Sequence, residues 1–138
     1  MKIVPSEFSN SAWNCFIFAK EIAYKNHQQD LDSDNLLLAL IKEDNFTKKI
    51  LKKNNVNIKK FEKEIVSSLS SKAKMKNKQD NLYIADSLYK IFLKANDIKN
   101  TLEDVVISTE HLVYGLTYDD KYGFQILNQK GIQNFLKL

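Results

Sequence analysis

Apolar residues recur at helical spacing along most of the chain, separated by short polar breaks. Ala12, Cys15, Phe16, Ala19, Ile22 and Ala23 lie three and four residues apart and predict a first helix running to about Asn26, with Ser9 or Asn10 as its cap. Trp13, Ile17, Phe18 and Tyr24 fall largely outside that stripe. The helix is therefore apolar around most of its girth, as in a central helix covered on more than one side, or one with a second face used for binding. Ser33 or Asp32 opens a second helix, with Asp34 in the first turn, where a negative charge suits the helix dipole. Asp44-Asn45 breaks it, and a third short helix runs through Ile50 and Leu51 to Lys53, ended by Asn54-Asn55. Asn57 caps a fourth helix carrying Ile58, Phe61, Ile65 and Leu69. Residues 67–81 hold few apolar side chains and read as a fraying helix end followed by a solvated linker. A fifth helix carries Leu88, Ile91, Phe92, Ala95 and Ile98. A sixth starts at Ser108 or Thr109, and a seventh runs through Phe124, Ile126 and Leu127 toward a left-handed stop at Gly131.

The pattern repeats. Residues 8–56 set against residues 84–132, an ungapped offset of 76, give nine identical pairs, among them Phe16/Phe92, Ala19/Ala95, Leu36/Leu112, Leu40/Leu116 and Asp44/Asp120. Other pairs keep their class, as in Leu31/Ile107, Ser33/Thr109 and Asp34/Glu110. Matches on apolar positions across several elements are what two copies of one small helical unit would show. The expected organisation is a single domain over 1–138: unit one at 8–69, a linker at 70–82, and unit two at 83–138. The fourth helix of the second unit is expected to continue beyond Leu138, which favours a fragment of a longer parent.

A chain of 138 residues with 43% hydrophobic and 28% charged residues is long enough for one domain with a real core. One proline and three glycines leave few of the breakers a β-rich fold needs, so the expected class is all-α. No run of 18 apolar residues is present, and the N-terminus lacks a signal-peptide core. Cys15 alone cannot form an intramolecular disulfide, and a cytoplasmic location is the simplest expectation. The net charge of +4 is mild; lysines decorate the third and fourth helices, but no aromatic–basic interleaving of the RNA-binding kind accompanies them, and no nucleic-acid partner is expected.

Catalytic chemistry is not visible. No phosphate-binding glycine loop occurs, and Gly115, Gly123 and Gly131 fit helix packing and turns. His27 and His111 have no second ligand at metal spacing, and neither metal nor cofactor is expected. His111 beside Glu110 sits in a predicted first helical turn, where capping is the simpler role. Cys15 takes an inner-stripe position that holds Ile91 in the second copy, so it reads as a small core residue. Asp119-Asp120 reads as a helix cap ahead of a weak cation site.

The tandem pattern resembles the Clp N-terminal domain that precedes the motor modules of Clp-type AAA+ chaperones. The resemblance lies in Phe8-Ser9-Asn10-Ser11-Ala12-Trp13, in Asp32-Ser33-Asp34-Asn35-Leu36-Leu37-Leu38-Ala39-Leu40, and in Ile107-Ser108-Thr109-Glu110-His111-Leu112. The last stretch, with Asp119-Asp120-Lys121-Tyr122-Gly123, looks most like the ClpB disaggregase branch. The resemblance implies two four-helix repeats, about eight short helices, related by a pseudo-twofold axis. It implies a non-catalytic, monomeric domain that binds exposed apolar segments of unfolded or aggregated polypeptides, or adaptor proteins, and passes them to an ATP-driven ring. Ser9, Asp104, Glu110 and His111 match the family's polar contact positions, and Phe92 an apolar groove position. Asp34-Asn35 departs from the usual Glu-His, which weakens any transfer of the phosphoarginine recognition seen in the ClpC branch. The alternative is a stand-alone accessory on the same fold that docks on a Clp protease or chaperone ring.

Overall fold

The structure, a computed structural model, describes residues 1–76 and 82–123. Helix α1 spans Asn10–Lys25, α2 Ser33–Glu43, α3 Asn45–Lys53, α4 Ile58–Ser70, α5 Asp86–Thr101 and α6 Thr109–Leu116. The expected seventh helix and Gly131 lie outside the described residues. A 3-10 turn at Pro5–Glu7 precedes α1.

Caps set these boundaries. Ser9 Oγ accepts from the Ala12 amide and starts α1. Asp32 caps α2 in a capping box whose other arm is Asn35 Oδ1, which takes the Asp32 amide at 3.0 Å. Asp44 both ends α2 and starts α3 by accepting from the Thr47 amide. Ser108 caps α6 with His111 as the reciprocal arm. Helices α1 and α5 close alike, with His27 (φ 53) and Glu103 (φ 60) in the left-handed region. Each is followed by an amide bonded back into its helix, Gln28 to the Ala23 carbonyl and Asp104 to that of Lys99, both at 3.0 Å.

The core runs through both halves. Ala12, Cys15, Phe16, Ala19 and Ala23 of α1 pack with Leu36 to Ile41 of α2 and with Leu88, Ile91, Phe92 and Ala95 of α5. Trp13 and Phe18, outside the inner stripe, are half-buried against the same core, as is Ile22 of the stripe, so α1 is covered on more than one side. Gly115 marks the tightest contact of α5 with α6: a Cβ there would stand 2.4 Å from the Ile91 carbonyl oxygen.

The helical body carries a feature that the apolar pattern does not announce. Strand β1 (Asp30–Leu31) pairs in parallel with β2 (Tyr83–Ile84), matching Leu31 to Ile84, and an isolated parallel bridge joins Phe8 to Ile107. Shifting one member of the first pair forward by 76 and the other back by 76 gives the second. The Ala85 amide accordingly donates to the Leu31 carbonyl at 2.9 Å, and the Ser9 amide to the Ile107 carbonyl at 2.9 Å. Two-residue strands are too short to show an alternating pattern.

Candidate functional site

Four of the five sequence-derived site residues gather where the Phe8–Ile107 bridge meets the start of α6. The Ser108 amide donates to His111 Nδ1 at 2.8 Å, and His111 Nε2 meets Asp104 Oδ2 at 2.7 Å. Because Nδ1 accepts a backbone hydrogen, the ring proton resides on Nε2 and is donated to Asp104. The Ser108 hydroxyl donates to Glu110 Oε2 at 2.7 Å. His111 is buried with both ring nitrogens engaged, so it positions Asp104 and the cap and offers little surface itself. Asp104 is half exposed, while Ser9 and Glu110 are partly exposed. Beside them Val105 stands 91% exposed, an apolar side chain in open solvent that sequence periodicity did not single out.

Phe92 does not meet the groove expectation. It is 0% exposed and packs edge-on against Phe8 (5.8 Å) and Phe16 (5.5 Å). Its position in the helical stripe of α5, against Phe8 and Phe16, makes it core.

A second polar set lies at the seam between the halves. Asp34 of α2 is 1% exposed in its side chain, and its Oδ2 receives Ser68 Oγ of α4 at 3.1 Å and Lys121 Nζ at 3.3 Å, with Lys72 Nζ at 3.5 Å. Lys121 Nζ also donates to Ser68 Oγ. Partial burial works against the Lys121 charge, but the Asp34 carboxylate more than offsets it and raises the ammonium above its ordinary range. Next to it, burial would raise the Asp32 carboxyl, yet bonds from the Ser87 hydroxyl and the Ser33 amide, together with Lys72, hold it below its ordinary range.

A partly apolar concavity lies elsewhere. A groove of about 470 Å³ runs between α5 and the turn after α6. Leu93, 37% exposed, and Tyr118, 41% exposed, supply its apolar surface, with the buried Ile91 beneath them. Lys90, Lys94 and Asp97 edge it on α5, and Asp119 and Asp120 on the turn. Lys94 Nζ lies 4.7 Å from the Tyr118 ring centroid, and Tyr118 is edge-on to Tyr114 at 5.6 Å. Asp119 Oδ2 accepts the Tyr122 amide at 2.9 Å. The groove sits at the C-terminal end of α6 and the polar cluster at its N-terminal end, about 12 Å apart for eight residues of helix.

A hollow at the positions 76 earlier shares Ser11, Asn14, Cys15, Phe18, Glu43 and Asp44 with this register, but its lining is mainly polar. Burial, with Asp44 and Glu43 adding to it, pushes the Cys15 thiol up to about 11, so it is protonated and unreactive at neutral pH. Among the described residues no group of three His, Cys, Asp or Glu side chains is placed to hold a metal ion, and no helix is long and apolar enough to cross a membrane.

Sequence reasoning missed the groove because Leu93 and Tyr118 are single apolar residues outside any stripe. The available signal was the repeat offset, which pairs Leu93 with Ile17 on the outer face of α1.

Residues 7–130 match the family described as the Clp repeat (R) N-terminal domain. The chaperone protein ClpB 1 of Parasynechococcus marenigrum is 29% identical over 132 residues, which take in 96% of this chain and 15% of that protein. The Hsp104 N-terminal domain from Candida albicans superposes with a TM-score of 0.76 at 20% identity, over 96% of this chain and 83% of that one. The N-domain of ClpV from Vibrio cholerae superposes with a TM-score of 0.78 at 13% identity, over 94% and 82%. At these identities the two structures speak for the fold.

Proposed function

Because the chain belongs to the Clp repeat N-terminal domain family, we propose that it is a non-catalytic recognition domain that holds exposed apolar segments of unfolded or aggregated polypeptides. The observation that carries this reading is the groove beside α5. An open, partly apolar surface edged by both signs of charge suits a polypeptide segment without demanding one sequence. The domain would serve as the client-binding head of a ClpB-like disaggregase in the cytoplasm, handing clients to ATP-driven modules. Weak binding by each head suffices there, since several heads in one ring add effective concentration. The chain spans 15% of the ClpB protein it matches, so the motor modules and their clients belong to this proposal. A stand-alone accessory docking on a Clp ring is the second reading, with the same groove as its docking surface.

Two four-helix units related by a pseudo-twofold axis, 8–69 and 83–138 joined by a linker at 70–82, are the architecture we assign. The offset-related pairs Leu31–Ile84 and Phe8–Ile107 support it, as do the matching left-handed residues His27 and Glu103. At the other end of α6, Ser9, Asp104 and Glu110 with the protruding Val105 form a second, more polar client contact, held in place by His111.

Fluorescein-labelled, reduced and carboxymethylated casein, titrated with the domain and followed by anisotropy, tests the groove. Leu93→Asp is expected to weaken binding by about tenfold, the scale of one buried anchor, with the melting temperature little changed. Unaltered casein affinity in that variant would refute the groove reading.

A further inference from the structure

The groove's outer edge and the buried Asp34 carboxylate are joined through consecutive residues. Tyr118, Asp119 and Asp120 line the groove, and Lys121 follows directly. The turn is tied to the end of α6 by the Tyr118 and Asp119 amides, which donate to the Gly115 and Leu116 carbonyls. Its far side is held by the other half of the molecule. Lys121 Nζ reaches Asp34 on α2 and Ser68 on α4, and the Tyr122 ring lies edge-on to Phe61 of α4 at 5.8 Å. The turn that forms the outer edge of the groove is thus held on one side by α6 and on the other by an ionic contact made away from the groove.

We propose that Lys121 is a positioning residue for the groove: its pairing with Asp34 and Ser68 holds the 118–120 edge at the separation from α5 that a polypeptide segment requires. This rests on the groove reading above. Asp34 is almost fully buried and shares its charge between Lys121 and Lys72, so the Lys121 contact ties an otherwise short surface turn to a fixed point in the other half. Loosening a binding edge by a fraction of an ångström is enough to lose contacts along its whole length.

Asp34 supplies its own control. It pairs with two lysines, Lys121 at 3.3 Å and Lys72 at 3.5 Å; Lys121 is next in sequence to the groove edge, whereas Lys72 also pairs with Asp32 and reaches the groove only through the bond from the Ser87 hydroxyl to Asp32. Lys72 follows the end of α4. A merely structural role ties any change in casein affinity to the change in melting at either lysine, whereas positioning lowers affinity at Lys121 beyond its shift in melting.

The experiment compares Lys121→Met, Lys72→Met and Lys121→Arg in the full chain, with labelled carboxymethylated casein as probe and calorimetric melting in parallel. Expected are a loss of affinity of about fivefold in Lys121→Met, less than about twofold in Lys72→Met, and recovery in Lys121→Arg, with comparable melting shifts for the two methionine variants. If Lys121→Met fails to fold, Lys121→Gln, which keeps a donor for Ser68, is read against Lys72→Gln in the same way. Equal weakening by both lysine positions, or none at Lys121 while Leu93→Asp abolishes binding, overturns the positioning role alone. No effect of Leu93→Asp overturns the groove reading and this inference with it.

Discussion

Exchanging the His111–Asp104 pair for the amide pair that occupies the same places in the first half of the chain tests whether those residues act as a structural strut. Positions 28 and 35 hold Gln28 and Asn35, joined by two bonds: Asn35 Nδ2 to Gln28 Oε1 at 2.9 Å, and Gln28 Nε2 to Asn35 Oδ1 at 3.0 Å. Asn35 Oδ1 also takes the Asp32 amide, as His111 Nδ1 takes that of Ser108. His111→Ala leaves the Ser108 amide without its partner, at about 1–3 kcal/mol. It also leaves a void where an almost fully buried ring stood, about 1–2 kcal/mol more. The freed Asp104 is half exposed and rehydrates, so it adds little. The expected loss is about 2–4 kcal/mol, or roughly 10 °C in melting temperature for a chain of this size. The double variant Asp104→Gln with His111→Asn rebuilds the amide pair and is expected to lie within about 1 kcal/mol of the parent. Urea unfolding followed by far-ultraviolet circular dichroism measures both. If the double variant falls as far as His111→Ala, the equivalence of the two halves at this point is refuted. If His111→Ala loses less than about 0.5 kcal/mol, the strut is refuted. The stable double variant then isolates Asp104 as a client contact, since casein binding can be compared at equal stability.

Two further outcomes are expected. Gly115→Ala should destabilise by about 1–3 kcal/mol in urea unfolding despite alanine's better helix propensity, because its Cβ meets the Ile91 carbonyl at 2.4 Å; a gain in stability would refute the close approach of α5 and α6. Asp32, held below its ordinary 3.8, contributes stability in full above about pH 4 and loses it as pH falls through the lower folded value. The gap between parent and Asp32→Asn should therefore be flat toward neutrality and shrink below about pH 4, and a gap that persists undiminished to about pH 2 would contradict that assignment.

The helices were legible in the sequence because their signals are local. Stripes at three- and four-residue spacing located the bodies of α1 to α6, Asp44-Asn45 marked the break between α2 and α3, and Asn57 marked the start of α4. The ambiguous caps resolved toward the earlier residue, Asp32 over Ser33 and Ser108 over Thr109. The site was less legible because it depends on contacts across long separations. Phe92 looked like a groove anchor by family position, but its stripe places it among Phe8 and Phe16 in the interior. Leu93, one residue further along α5, faces the groove instead. The Asp34–Lys121 tether joins residues 87 apart, and no pattern of spacing announces it.

The parallel pairings of Phe8 with Ile107 and of Leu31 with Ile84 bear on how the chain is born. On a ribosome working from the N-terminus, Phe8 must wait for about a hundred further residues before its bridge partner is made. Leu31 waits for the segment that opens α5. The early half of the chain therefore spends synthesis with its entering strand unmatched and a large aromatic ring uncovered, at about 5–20 residues per second for several seconds or more. A domain read as a catcher of incomplete proteins passes through that same unprotected condition itself, until the second half is made and can cover the first.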